Sequence, residues 1–167
     1  EKVDSSNAYS ETERDVYAAF VTAQQQVELL KLEASLRYDH VGDVDSETSY
    51  NLGIGYHIEP HGLVSLSHGT AFKAPSFNEL FWPDEWGSAG NPDLVSETSK
   101  NTEILTRYQF NSQLLGKVKL ELSLYQNDID NLIEWAPIDS SDPFSGWQPS
   151  NIASAKIKGV DASAELA

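Results

Sequence analysis

Residues 30–38 read LKLEASLRY, a segment in which apolar and polar side chains alternate strictly. A period of two is typical of a β-strand with one apolar and one polar face. The alternation returns over residues 50–58 and 118–124. The longest runs reach about nine residues, which is the length that a tilted strand needs to cross a bilayer. Two alternatives follow: a soluble β-domain whose apolar face forms its core, or a membrane barrel whose apolar face contacts lipid.

Composition excludes several classes of function. The chain has 167 residues, enough for one domain, with 26 acidic and 11 basic side chains and a formal net charge of −15. Such an acidic chain repels phosphate, so nucleic-acid binding is not expected. Cysteine is absent, which excludes disulfides and thiolate chemistry. No run approaches the roughly 18 apolar residues of a membrane helix.

The pattern predicts an all-β antiparallel meander of seven to eight strands after a loop or disordered end over residues 1–14. The predicted strands cover residues 15–26, 29–39, 48–58, 62–72, 100–110, 117–135 with a bulge near 128–129, and 152–166. Connectors at one end of the sheet are short, near 27–28, 59–61 and 111–116. Connectors at the other end are longer, at 40–47, 73–99 and 136–151. This asymmetry is typical of outer-membrane barrels, in which short turns face the periplasm and long loops face outside.

Three blocks of sequence carry a resemblance to a known family. They are GTAFKAPSFNEL at 69–80 followed by GNPDL at 90–94 and ETSK at 97–100, then YQNDIDNLI at 125–133, and KIKGVDA at 156–162. In this order they resemble the TonB-dependent outer-membrane receptors, most closely the vitamin B12 (cobalamin) subfamily. Siderophore and haem receptors of the same family resemble the chain nearly as well.

The resemblance implies a segment, over residues 15–167, of a 22-stranded barrel in the outer membrane of a Gram-negative bacterium. It implies that the plug domain and the closing strands are absent from this chain. The parent protein would bind a metal-chelate nutrient, with cobalamin favoured, and import it with energy from TonB acting through the plug. Outer-membrane lipid would surround it, no resident cofactor would be needed, and no enzyme activity is expected. The alternatives are a siderophore or haem receptor, or a soluble β-rich binding domain.

Exposed aromatic and acidic loop residues are the candidates for ligand binding, because flat aromatic side chains make contact surfaces for ligands. They are Phe77, Phe81, Trp82, Asp84, Glu85 and Trp86 in the 73–99 loop, and Trp147 in the 136–151 loop, where Phe144 also lies. The alternative is that these rings pack the loops onto their neighbours or sit in an aromatic girdle at the membrane boundary.

The remaining polar residues give weaker signals. Four carboxylates of one loop are calcium candidates, since calcium prefers oxygen ligands, although solvated loop charges look the same: Asp39, Asp43, Asp45 and Glu47. The four histidines, His40, His57, His61 and His68, have no metal-ligand spacing. No catalytic constellation is present. A ladder of charges is expected to face inward and pair across strands: Lys31, Glu33, Arg37, Glu103, Arg107, Lys119 and Glu121.

One observation would exclude the membrane alternative. That observation is a sealed interior formed by Leu32, Leu52, Ile54 and Leu122, with Lys31 and Glu121 pointing to solvent.

Overall fold

The computed structural model describes residue 2 and residues 13–42, 44–84 and 87–166, apart from the side chains of Asp45 and Pro143. Seven strands and one short helix follow in chain order: β1 Val16–Val27, β2 Leu30–Val41, β3 Asp45–Ile58, β4 Gly62–Lys73, α1 Phe77–Phe81, β5 Glu97–Ser112, β6 Gly116–Asp139 and β7 Asp142–Leu166. Within these described ranges, no helix is long and apolar enough to span a bilayer. Most of the predicted N-terminal loop, together with Asp43, Glu85 and Trp86, lies outside the described residues.

The strands form one seven-stranded sheet in the order β1-β2-β3-β4-β5-β6-β7, and every neighbouring pair is antiparallel. The predicted all-β meander is therefore confirmed. The first five predicted strands agree with the observed bounds to within three residues at each end. Alternation located them because each of these strands has one consistently apolar face.

Two of the three predicted longer connectors are wrong. The pairing of β2 with β3 reaches Val41 and Asp45, so the connector predicted at 40–47 is reduced to residues 42–44. The other error is the long loop predicted over residues 136–151. β6 and β7 continue past it as a paired hairpin, with only residues 140–141 in the turn. Trp135 pairs with Pro149, and Pro137 pairs with Trp147. The prolines concealed the strands, because proline cannot donate to a sheet ladder and is read as a strand breaker. The irregularity in β6 also lies between Ile129 and Leu132, slightly beyond the predicted bulge.

Both faces of the sheet are exposed, whereas a soluble domain buries its apolar face. On the apolar side, Leu52 is 52% exposed and Leu122 is 44% exposed. Leu32 and Ile54 are exposed as well, at 40% and 45%. No sealed apolar interior forms along these strands, so the membrane interpretation passes its test. We call the apolar side the outer face and the polar side the inner face.

Aromatic side chains flank the apolar belt of the outer face at both ends. Toward the end with the 74–96 connector lie Tyr17, Tyr38 and Tyr50, and toward the other end lie Tyr56, Tyr108 and Phe110. Girdles of this kind mark the two interfaces of a membrane barrel. Nine residues of a strand tilted by about 45° cover roughly 20 Å, close to the height of a barrel's apolar band.

Buried apolar residues gather at the end of the sheet that carries the long connector over residues 74–96. Leu80, Leu94 and Ile133 form one cluster, and Val44 and Phe81 pack against it. We call residues 74–96 the cap loop. Because this loop supplies most of the cluster, it folds onto the sheet end and joins it to the β6–β7 hairpin.

Candidate functional site: the cap loop

Helix α1 begins the cap loop and is fixed by a capping box. The Ser76 hydroxyl accepts a hydrogen bond from the Glu79 N–H at 3.3 Å, and the Glu79 carboxylate accepts one from the Ser76 N–H at 2.6 Å. Each side chain satisfies a backbone donor that the helix itself leaves unpaired. A helix of only five residues is marginal by propensity, so this box and the burial of Leu80 hold it in place.

Lys73 joins the two ends of the cap loop. Its Nζ lies 3.5 Å from the Glu79 carboxylate and 3.0 Å from that of Glu97. The same Glu97 oxygen accepts a hydrogen bond from the Ile133 N–H at 3.0 Å, which connects this ion trio to the hairpin. Burial tends to raise the pKa of Glu79, but hydrogen bonds from Ser76 and the Lys73 charge outweigh it, so that pKa is lowered.

Arg14 ties the cap loop to the start of β1. Its Nη1 donates to the Pro75 carbonyl at 2.8 Å, and its guanidinium lies 4.9 Å from the centre of the Phe77 ring. Such a cation–π contact is favourable over an aromatic face. Phe77 is only 4% exposed, so its ring is occupied by this contact and by its neighbours.

The second half of the cap loop docks along the hairpin. The Trp147 N–H donates to the Ser88 hydroxyl at 2.9 Å, and the Trp147 carbonyl accepts from the Ala89 N–H at 3.2 Å. The Asn91 side-chain amide donates to the Pro149 carbonyl at 3.0 Å. Trp147 thus directs its backbone groups to the cap loop and needs no hydrogen bond from Pro137, its partner across the hairpin.

Gly90 allows the cap loop to close on itself. Its N–H donates to the Trp82 carbonyl at 2.9 Å, while the Asn91 N–H donates to the Glu79 carbonyl at 2.8 Å. A Cβ at position 90 would lie 2.6 Å from backbone atoms of Leu80 and Trp82. The backbone approach therefore requires glycine at this position.

Residues 2–167 match the family described as TonB dependent receptor-like, beta-barrel. This chain belongs to that family. The family comprises receptors and transporters of the Gram-negative outer membrane rather than enzymes. Membership in it excludes the alternative of a soluble β-rich binding domain. Barrels of this kind place short turns at the periplasm and long loops outside, so we expect the cap loop at the cell surface.

Several curated proteins are similar to the receptor chain. The vitamin B12 transporter BtuB of Vibrio vulnificus is 42% identical over 155 residues, which are 92% of this chain and 23% of that protein. The vitamin B12 transporter BtuB of Photobacterium profundum is 38% identical over 162 residues, 95% of this chain and 25% of that protein. The receptor chain thus spans about a quarter of the length of these relatives.

Solved structures share the fold. The siderophore receptor PirA from Pseudomonas aeruginosa superposes with a TM-score of 0.73 at 22% identity, over 88% of this chain and 27% of that one. The Serratia marcescens hemophore receptor HasR, in complex with its hemophore HasA and heme, gives a TM-score of 0.77 at 15% identity, over 91% and 32% of the two chains. At these identities the likeness concerns the fold alone.

The candidate ligand residues of the receptor lie in different environments. Phe81 is half-buried against the apolar cluster, and Trp82 is half-buried at the end of α1. Asp84 is exposed, and Trp147 is 43% exposed on the hairpin. Glu85 and Trp86 lie outside the described residues, so their roles stay predictions. Of the described candidates, the exposed pair Asp84 and Trp147 presents the most open surface.

The hairpin adds exposed apolar residues that sequence reasoning did not single out. Trp135, at the predicted end of the sixth strand, is 37% exposed, and Ile138, beyond that end, is 59% exposed. Phe144, which the sequence analysis did name beside Trp147, lies near the turn and is 93% exposed. The predicted strand ended at residue 135, so the exposed residues of the hairpin beyond it form a second group beside the cap loop that only the structure reveals.

The calcium candidates do not converge in the part of the loop that the structure describes. Asp39 is bound by Arg37, whose nitrogens lie 2.7 Å from both carboxylate oxygens. Among the described residues, no group of three acidic or histidine side chains is placed to hold a metal ion. Asp43 and the side chain of Asp45 lie outside the description, and calcium binding stays a prediction.

The inner face carries the predicted charges, but only part of the ladder pairs across strands, because Lys31 binds Glu33 and Arg37 binds Asp39 within β2. Arg107 pairs with Glu121 across β5 and β6, and the Lys119 Nζ lies 2.9 Å from the Glu165 carboxylate on β7. The Ser123 hydroxyl donates to the Glu103 carboxylate at 2.5 Å. These contacts pair charges across strands on a polar wall, as expected for the interior side of a barrel.

Proposed function

We propose that this chain is part of an outer-membrane active transporter that binds a metal-chelate nutrient at the cell surface and imports it with TonB-supplied energy. Cobalamin is the favoured ligand. The observation that carries the proposal is the 42% identity to a vitamin B12 transporter over 92% of the chain. The structural neighbours include siderophore, hemophore and copper proteins, but they are 22% identical or less and support only the fold.

The geometry of the cap loop supports a role in ligand capture. Its interior is tied by the capping box, the Lys73 ion trio and the hairpin hydrogen bonds, so its shape is held before any ligand arrives. A preorganised surface loses less conformational entropy on binding than a mobile one. Trp82, Asp84 and Trp147 lie on this scaffold and supply aromatic area and one carboxylate. Their work would be binding and release, without bond making.

The test uses the full-length receptor that contains this chain. Direct titration compares cyanocobalamin, a ferric siderophore and haem, and the proposal expects tight binding of cyanocobalamin only. Trp147→Ala and Trp82→Ala are each expected to weaken binding by about tenfold, the usual scale for an aromatic anchor. Tyr108→Ala, which removes an exposed ring near the periplasmic turns, is the matched control and should leave affinity unchanged.

The outcomes separate the two parts of the proposal. Binding of a ferric siderophore or haem in place of cyanocobalamin would favour the alternative receptor type. If both tryptophan variants bind as tightly as the parent, the aromatic anchors are wrong while the ligand assignment stands. In cells, loss of TonB should stop uptake and leave surface binding intact, and uptake that continues without TonB would contradict energy coupling.

A further inference from the structure

The cap loop runs beside β7 in the upper part of the hairpin. Residues 88–91 of the loop contact residues 147–149 of β7 one after another and in the same chain direction. In the middle of this contact, the Gln148 side-chain amide donates to the Gly90 carbonyl at 3.3 Å. The cap loop thus extends the hairpin by a third segment, whose position depends on where the two backbones first meet.

Two glycines mark the point where this contact begins. Gly146 has a φ of +90° and Gly87 has a φ of +79°, in the left-handed region that favours glycine. Gly146 is buried, and a Cβ added to it would overlap the Gly87 carbonyl group. The two backbones therefore cross at a distance that a side chain at position 146 does not permit. We call this contact the glycine crossing, and it lies directly before Ser88 and Trp147 in the two segments.

Trp147 depends on the cap loop for its backbone partners. Pro137 lies opposite it in the hairpin and has no N–H, so the Trp147 carbonyl accepts from the Ala89 N–H instead, at 3.2 Å. The Trp147 N–H donates to the Ser88 hydroxyl at 2.9 Å. With both backbone groups bound, the ring, 43% exposed, projects from a fixed backbone. Without the docked loop, a ligand would have to order this residue at a cost in conformational entropy.

We propose that Gly146 and Ser88 are positioning residues, which set Trp147 for ligand binding by docking the cap loop against the hairpin. The inference rests on the proposed function, in which Trp147 contacts the nutrient. Gly146 admits the Gly87 backbone, and Ser88 fixes the Trp147 N–H, so neither residue needs to touch the ligand. The docked form binds the nutrient and the undocked form binds it weakly, so the apparent affinity follows the docked fraction.

A double-mutant cycle in the full-length receptor tests this role, with affinity for cyanocobalamin as the measurement. Gly146→Ala is expected to weaken binding by about tenfold in the parent, the same scale as loss of the aromatic anchor itself. In the Trp147→Ala background it should weaken binding by less than about twofold, because the ring that it positions is gone. Equal weakening in both backgrounds would mean a general structural effect and would overturn the proposal.

Ser88→Ala repeats the cycle without a steric clash. It removes only the hydroxyl that accepts from the Trp147 N–H, so the hairpin and the cap loop keep their other contacts. Binding should weaken by about threefold in the parent, the scale of one lost hydrogen bond, and should not change in the Trp147→Ala background. Full affinity in Ser88→Ala would contradict the role given to this residue.

Gly62→Ala is the matched control for the crowded glycine. It makes the same substitution at the opposite end of the sheet, where a Cβ would lie 2.9 Å from the Ile58 side chain. Because Gly62 is remote from the cap loop, its variant should bind cyanocobalamin like the parent. If Gly62→Ala weakens binding as much as Gly146→Ala, affinity follows overall stability and the proposal is wrong.

Hydrogen exchange measures docking in the receptor itself. Saturation with cyanocobalamin should slow exchange of the Trp147 and Ala89 amides by about tenfold, because the ligand favours the docked form. The Gln109 amide, bonded to the His61 carbonyl at the other end of the sheet, should not change. In the ligand-free receptor, Gly146→Ala should speed exchange of the first two amides by about tenfold. Unchanged exchange at these amides in both experiments would overturn the proposal.

The outcomes separate this inference from the proposed function. If the parent binds cyanocobalamin and Trp147→Ala binds it equally well, the positioning role is wrong while the transport function stands. If the parent binds a ferric siderophore or haem instead, the ligand assignment is wrong, and the same cycle is run with the ligand that binds. A parent that binds none of the three contradicts both, since a positioning residue requires a bound ligand.

Discussion

Lys73→Met removes the charge that holds the two ends of the cap loop together. Methionine keeps an unbranched stem of similar length, so the change deletes the ammonium group with little loss of packing. Glu79 and Glu97 then face each other without a cation, although their side chains are only 15% and 12% exposed. Two like charges in such a setting repel, and neither is fully solvated.

The magnitude lies between two limits. Exposed ion pairs contribute about 0–1 kcal/mol, whereas removing one partner of a buried pair costs about 3–5 kcal/mol. The Lys73 side chain is 55% exposed, so solvent already screens much of its charge. We therefore expect opening of the cap loop to become easier by about 1–2 kcal/mol, which raises the open population by about tenfold.

Hydrogen exchange of cap-loop amides in the full-length receptor measures this population. The informative amides are those of Leu80 and Asn91, whose N–H groups are bonded to the Ser76 and Glu79 carbonyls. In Lys73→Met they should exchange about tenfold faster than in the parent. Lys31→Met is the control, since Lys31 is 44% exposed and, within the described residues, its one ion pair is with Glu33. Equal exchange rates in the two variants would refute the role assigned to the ion trio.

Three further perturbations test the same structure. Ser76→Ala removes the side chain that caps α1, which costs about 1 kcal/mol of stability and should speed amide exchange in α1 by about fivefold. The faster exchange should be confined to the cap loop. Because the folded pKa of Glu79 lies below its ordinary value of 4.5, the stabilisation it gives is present above that pH and is lost as pH falls through the folded pKa. After correction for the intrinsic pH dependence of exchange, the exchange rate of the cap-loop amides should therefore rise only in acid. Glu79→Gln should abolish this rise. Gly159→Ala places a Cβ 2.2 Å from ring atoms of Tyr125 and should destabilise the barrel by about 1–3 kcal/mol in denaturant unfolding; adding Tyr125→Ala should reverse part of that loss.

Sequence periodicity predicted the sheet because membrane strands carry their signal locally. Leu32 and Leu122 alternate with polar neighbours, and one face of each strand meets a uniform environment. The same logic predicted the inner charge ladder. Side-chain alternation alone was enough to assign strands and faces, since no distant segment was needed to interpret it.

The hairpin extension could not be found in the same way, because its stability depends on a third segment. Pro137 and Pro149 interrupt the local pattern, and both lie opposite tryptophans in the observed register. The unused backbone groups of Trp147 are satisfied by Ser88 and Ala89, about sixty residues away in sequence. Nothing in residues 133–151 indicates that partner.

The difference between what the fold fixes and what it leaves free explains why the sequence identified the family more readily than the ligand. The family-like residues Lys73, Ser76, Glu79 and Asn91 are all committed to contacts within the cap loop or with its neighbours. Phe77, a ligand candidate by composition, is buried under Arg14. These residues specify a scaffold that receptors for different cargo can share. Discrimination between ligands must then come from the side chains that the scaffold leaves exposed, where hydrogen bonding and shape are not fixed by the fold.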